Sequence, residues 1–115
     1  MDALEKVLEG FVERCNKNPR LIAMNRDWTR EVAIRATDTG EAFWIRSAAG
    51  QLSAGKGTAT GPADLEIRAD RDVLEAIFSG QMAPTEPYNQ GDLLVRGSQD
   101  DLLRLDVITL MIWGE

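Results

Sequence analysis

Histidine is absent from all 115 residues, and with it the commonest general base and the commonest metal ligand. A single cysteine, Cys15, rules out an intrachain disulfide and makes a reducing compartment the simplest setting. No histidine is there to activate that thiol, and Cys15 sits on an apolar helical stripe, so it reads as a small core hydrophobe. Nowhere do the ~20 apolar residues needed to cross a bilayer run together. Acidic residues begin at Asp2, where a signal peptide would be apolar, and Ile112 to Glu115 is not a Ser-Lys-Leu peroxisomal address. A cytoplasmic protein with no integral membrane association is therefore expected. Positive charge is short as well: 13 Lys and Arg against 19 Asp and Glu leave a net charge of -6. Such a surface repels nucleic acid over most of its extent, and it does not dock on anionic headgroups by electrostatics alone.

What remains is an ordinary globular composition. Apolar residues at 43% and charged residues at 28% suit one domain, 1–115, with a single hydrophobic core. Leu4, Val7, Leu8, Phe11, Val12 and Cys15 recur at three- and four-residue spacing, which predicts a helix over 2–17 ended by Asn18-Pro19. A short helical turn is expected in 20–29, leading to a strand. Period-two alternation then predicts five strands: Val32-Ile34-Ala36, Ala42–Ala48 with Phe43 and Ile45 inward, Leu52-Ala54, Asp64–Ala69, and Asp92–Gly97. Each has one apolar face, so the sheet is expected to be covered on one side only, by helices.

The helical cover begins with 71–79, capped by Asp70 or Asp72, carrying Val73, Leu74, Ile77 and Phe78, and stopped by Gly80. Pro84 and Pro87 then allow at most a short helical turn, with Tyr88 beside it. Ser98 to Asp101 has the spacing of a capping box ahead of a helix from Gln99 to about Ile112. That helix is apolar almost all round, which requires cover on more than one side, from a partner subunit or from a bound apolar ligand.

Motifs for soluble-substrate chemistry are weak. Gly50 to Gly57 is one residue from a phosphate-binding loop, but Gly57 stands where a magnesium-binding hydroxyl belongs. Gly57, Gly61 and Pro62 prevent the helix whose N-terminus would hold the phosphate. Gly55 to Gly61 has the wrong spacing for a dinucleotide fingerprint. Asp106 is the one acid within the apolar run of the last helix. On a face of its own it is a solvated residue near Arg104; turned inward it has the burial that suits a general acid or base. Tyr88 can donate a hydrogen bond to a ligand head group or serve as an aromatic lid. No metal site or cofactor is expected.

One order of residues stands out: Ala63-Asp64, Phe78, Gly80-Gln81-Met82-Ala83-Pro84, Gln90-Gly91-Asp92-Leu93 and Gly97, preceded by Glu41-Ala42 and Trp44. It resembles the type-two sterol carrier domain, over about residues 30 to 112. The resemblance implies an α+β fold, with a five-stranded mixed, mainly antiparallel sheet covered on one face by helices. It also implies an apolar tunnel between sheet and helices, closed partly by the last helix, and ligands such as fatty acyl chains, sterols or quinone precursors. Carried onto this chain, the ligand-binding positions are the Phe78–Met82 helix end, Tyr88 and Gln90, and the last helix.

The leading expectation is accordingly a non-enzymatic carrier or binding module for a hydrophobic small molecule. Phe43, Ile45, Ile67, Leu74 and Ile77 would line the tunnel with Phe78 and Met82. Leu102, Leu105 and Met111 would close the opposite wall, and Trp113 would stand near an opening. Two other readings belong to different classes. One is an enzyme in which Asp106 assists rearrangement, dehydration or cyclisation of an apolar substrate. The other is an interaction module, a homodimer formed through Trp44 and Leu94 on the open sheet face.

Overall fold

The computed structural model describes residues 3–58 and 61–113. Asp2, Ala59, Thr60 and the C-terminal Gly114-Glu115, all touched by the readings above, lie outside the described residues. The alternating segments form β1 (Arg30–Ala36), β2 (Ala42–Ala48), β3 (Gln51–Lys56), β4 (Leu65–Ala69) and β5 (Leu94–Gly97). They make one sheet in the order β3-β2-β1-β4-β5, antiparallel throughout except for the parallel pair β1–β4. Register aligns Ile45, Val32 and Leu65 in one row, and Phe43, Ile34, Ile67 and Val95 in the next. All are buried except the half-buried Val95, while Arg46, Arg68 and Arg96 are exposed on the opposite face with the half-buried Glu66. A slip of one residue would exchange those two sets, which is why the pattern specifies the pairing.

The loop between β2 and β3 has only two residues, Ala49 and Gly50, with φ of 53° and 85°. Both lie in the left-handed region favoured by tight hairpins. A Cβ at Gly50 would come within 2.6 Å of the Ile22 carbonyl oxygen, so glycine is required there twice over. Gln51 to Lys56 is a strand paired with β2, so this stretch does not form a phosphate-binding loop.

Five helices form the other layer: α1 (Ala3–Asn16), α2 (Pro19–Asn25), α3 (Arg71–Phe78), α4 (Thr85–Gln90) and α5 (Gln99–Trp113). α1 buries Leu4, Leu8, Phe11, Val12 and Cys15 and packs on β3 and α3. Phe11 meets Phe78 of α3 edge to face, 5.1 Å between ring centroids. At its end the Asn16 side chain donates to the Leu52 carbonyl at 2.8 Å and accepts from the Leu52 N–H at 2.8 Å. Asn18 then caps α2, accepting from the N–H groups of Arg20 and Leu21. Of the two caps expected for α3, Asp70 stands at the N-cap position, but its carboxylate accepts from the Thr37 hydroxyl instead. The backbone N–H of Arg71 donates to the Asp38 carboxylate, 33 residues earlier, in the turn after β1.

Candidate functional site

α3 cannot continue past Gly80, whose φ is +87°, and the Pro84 that follows starts α4 close to the second half of α5. The space left between the end of α3 and α5 is a recess of about 190 Å³. Gly80, Met82 and Ala83 form one wall; Asp106, Thr109, Leu110 and Trp113 of α5 form the other. Those four are spaced i, i+3, i+4, i+7 and so share one helical face.

Trp113 closes the recess on the α3 side. Its indole lies so close on Gly80 that a Cβ there would come to 2.4 Å, and the Arg14 guanidinium of α1 stacks over the ring at 4.1 Å from its centroid. The indole Nε1 is buried and has no acceptor among the described residues. Asp106 is half-buried; its Oδ1 accepts from the Thr85 N–H at 3.3 Å and from the Thr85 hydroxyl at 3.1 Å. The Thr109 hydroxyl donates to the Asp106 carbonyl at 2.8 Å. One carboxylate with its hydroxyls thus faces a wall of Met82, Leu110 and Trp113, the mix of few polar groups and apolar surface that small-molecule sites share.

The first half of α5 is held differently. Asp101 is buried, accepting from Trp28 Nε1 at 2.9 Å and from Arg30 Nε at 3.2 Å. Arg104, expected beside Asp106, instead donates to the Met24 carbonyl at 3.0 Å and to Asn25 Oδ1 at 3.3 Å. The expected capping box is not formed: Ser98 Oγ accepts from the Asp100 N–H, but the Asp101 carboxylate is taken by the Trp28 and Arg30 side chains. Nothing in the local spacing of 98–101 signals that pairing, because its partners lie 73 and 71 residues away.

Of the residues expected to bind ligand, Met82 and Trp113 line the recess. Phe43, Ile45, Ile67, Leu74, Ile77, Phe78, Leu102 and Leu105 belong to the buried core, with Met111 half-buried against it. Tyr88 and Gln90 are exposed on α4 and do not line the recess. Thr109 and Leu110 were missed, although their spacing from Asp106 and Trp113 is readable. Cys15 lies in the core, where burial pushes its thiol pKa up to about 12 and keeps it protonated at neutral pH.

Comparison with known proteins bears on the same architecture. The sequence profile of the SCP-2 sterol transfer family matches residues 11–108. No curated protein matches the sequence. Among solved structures the chain resembles the ubiquinone synthesis protein UbiJ-SCP2, with TM-score 0.72, 17% identity, and 95% of this chain and 91% of that one covered. It also resembles sterol carrier protein 2, with TM-score 0.70, 15% identity, and 99% and 98% covered. A third match is the stereoselective inverting sec-alkylsulfatase Pisa1 from Pseudomonas sp., with TM-score 0.75 and 12% identity. There, 90% of this chain corresponds to 16% of the sulfatase, so the likeness concerns one part of that enzyme.

Proposed function

The chain belongs to the SCP-2 sterol transfer family, and on that premise we propose that it binds and carries a hydrophobic small molecule bearing a long apolar body, such as a fatty acyl chain, a sterol or a quinone-like isoprenoid. The observation that carries this reading is the recess between α3 and α5, with Met82, Leu110 and Trp113 as its apolar lining. Its volume of about 190 Å³ is below the ~300–1,000 Å³ of sites that enclose a drug-sized ligand. The ligand therefore enters by parting α5 from the core and opening a tunnel past Phe78 and Leu105. Burial of ~10 methylenes at ~0.8 kcal/mol each supplies several kcal/mol toward that opening. A cytoplasmic setting fits the single buried thiol, and among the described residues no helix is long and apolar enough to cross a membrane.

Leu110→Trp tests the reading, at a largely exposed position on the recess wall. The larger side chain fills the space the ligand would take, so displacement of a fluorescent fatty-acid analogue should drop while the thermal midpoint holds. Overpacking of a solid core would instead cost ~1–3 kcal/mol. Strong destabilisation with undiminished analogue binding would place the site elsewhere. A second reading rests on Asp106, a carboxylate on the recess wall: conversion of an apolar substrate held there. Turnover that Asp106→Asn abolishes, with binding retained, would support it over simple carriage.

A further inference from the structure

The side of the sheet away from the helices carries an arrangement that the recess does not use. Arg46 pairs with Glu31, and Arg68 pairs with Glu66 at 2.8 Å, so both glutamates of this face are engaged. Arg35 and Arg96 have no carboxylate partner among the described residues; the one polar contact of Arg35 is with the Gly40 carbonyl at 3.4 Å. Arg35 is moreover the direct register partner of Arg68. Like charges facing each other on neighbouring strands destabilise a sheet, so this pairing works against the fold. Beside Arg68 and Arg96 lie Leu94, 60% exposed, and a shallow hollow shared by Glu66, Arg68, Leu94 and Arg96. Trp44 stands on the same face with Arg46 5.3 Å from its ring centroid. On the strands of this face Arg35, Arg46, Arg68 and Arg96 stand against two glutamates, in a chain of net charge -6.

We propose that the open sheet face is a docking surface for an acidic protein partner, with Leu94 and Trp44 as apolar anchors and Arg35 and Arg96 receiving the partner's carboxylates. Arginine and tryptophan are the side chains enriched where binding energy concentrates, and complementary charge sets the choice of partner. Two other occupants fit less well. A second copy docking face to face would bring the same arginines against each other, since a twofold contact pairs a patch with itself. An anionic membrane is recognised by clusters of about four to eight basic residues, and here only two guanidiniums are uncommitted. A partner on this face leaves the recess, in the helical layer, open.

A photo-crosslinking residue at Leu94, introduced into the full chain in its own cells, tests the proposal, with the same residue at Leu103 of α5 as control. The expected result is a discrete protein adduct at Leu94 and not at Leu103, whose cross-linked peptide is acidic. Its yield should fall at least roughly tenfold in Arg35→Glu/Arg96→Glu, and fall in high salt. The neutral pair Arg35→Gln/Arg96→Gln should show the same loss, which keeps the test valid if reversal disturbs folding. Relief of the Arg35–Arg68 repulsion should leave the thermal midpoint of either variant at or above that of the native protein. No adduct, an adduct indifferent to charge and salt, or adducts only to phospholipid or to a second copy would overturn the proposal.

Discussion

Asp101 is buried and ionically committed, and its two partners, Trp28 and Arg30, come from the approach to β1 and its first residue. Removing the carboxylate strands a buried indole N–H and a half-buried guanidinium, so Asp101→Ala should cost about 2–4 kcal/mol. Asp101→Asn keeps one acceptor and should cost clearly less; urea denaturation midpoints separate the two. Cys15 offers a test by pH. Burial raises its folded pKa to about 12 from a reference of 9.0, so between those values the folded state holds a proton that the unfolded state has released. Stability should therefore be fully present below about pH 9 and fall as pH rises, by about 1.4 kcal/mol per unit attributable to this residue. Cys15→Val should remove that component, and a thiol reagent at pH 8 should react with the native protein only as fast as it opens. Trp113 behaves differently again, because its N–H is buried without an acceptor among the described residues while its ring packs on Gly80. Trp113→Phe deletes the unsatisfied donor and keeps an aromatic ring there, so it should lie within about 1 kcal/mol of the native protein, whereas Trp113→Ala should lose about 2 or more.

At the scale of elements, what could be read in the sequence follows the range of the forces involved. Strands announce themselves through period two, and Phe43, Ile45, Leu65 and Ile67 are buried on the expected face. The stop of α3 at Gly80 is equally local, a left-handed residue where a helix must end. The cap of α3 was not readable, since the donor Arg71 is matched to Asp38 across a turn of a different strand. Nor was the anchoring of α5, whose Asp101 has the spacing of a capping residue and a long-range use. The recess shows both limits: Met82 was placed by the break in regular structure and Trp113 by the end of the last helix, while Tyr88 and Gln90, carried over from the family likeness, are exposed on α4 and Thr109 and Leu110 line the wall. α5 itself is held unevenly. Its first half is tied by Asp101 and Arg104 to the end of α2 and the start of β1, while in its last turn Leu110 and Trp113 line the recess and Met111 and Ile112 are only half-buried against the core. Amides of 110–113 should exchange hydrogen at least roughly tenfold faster than those of 105–108; uniform protection along α5 would show that the helix moves as one piece.

For the whole molecule, a five-stranded sheet covered on one side has two rims, and the end of α1 meets the β3 rim. On the β3 rim, the peptide of Leu52 offers its N–H and carbonyl outward, and the Asn16 side chain takes both at 2.8 Å. An amide side chain there does what the next strand would do, so α1 stands guard over a place where another chain could add itself. Asn16→Ala should cost about 1–2 kcal/mol in denaturation midpoint, a modest loss. The larger effect should appear on standing: an open rim next to the apolar Leu52 is a template for strand addition, and the variant should deposit thioflavin-positive aggregate at temperatures where it is still mostly folded. The same amide that joins helix to sheet thus sets how long the protein lasts in solution, through the route by which it is lost.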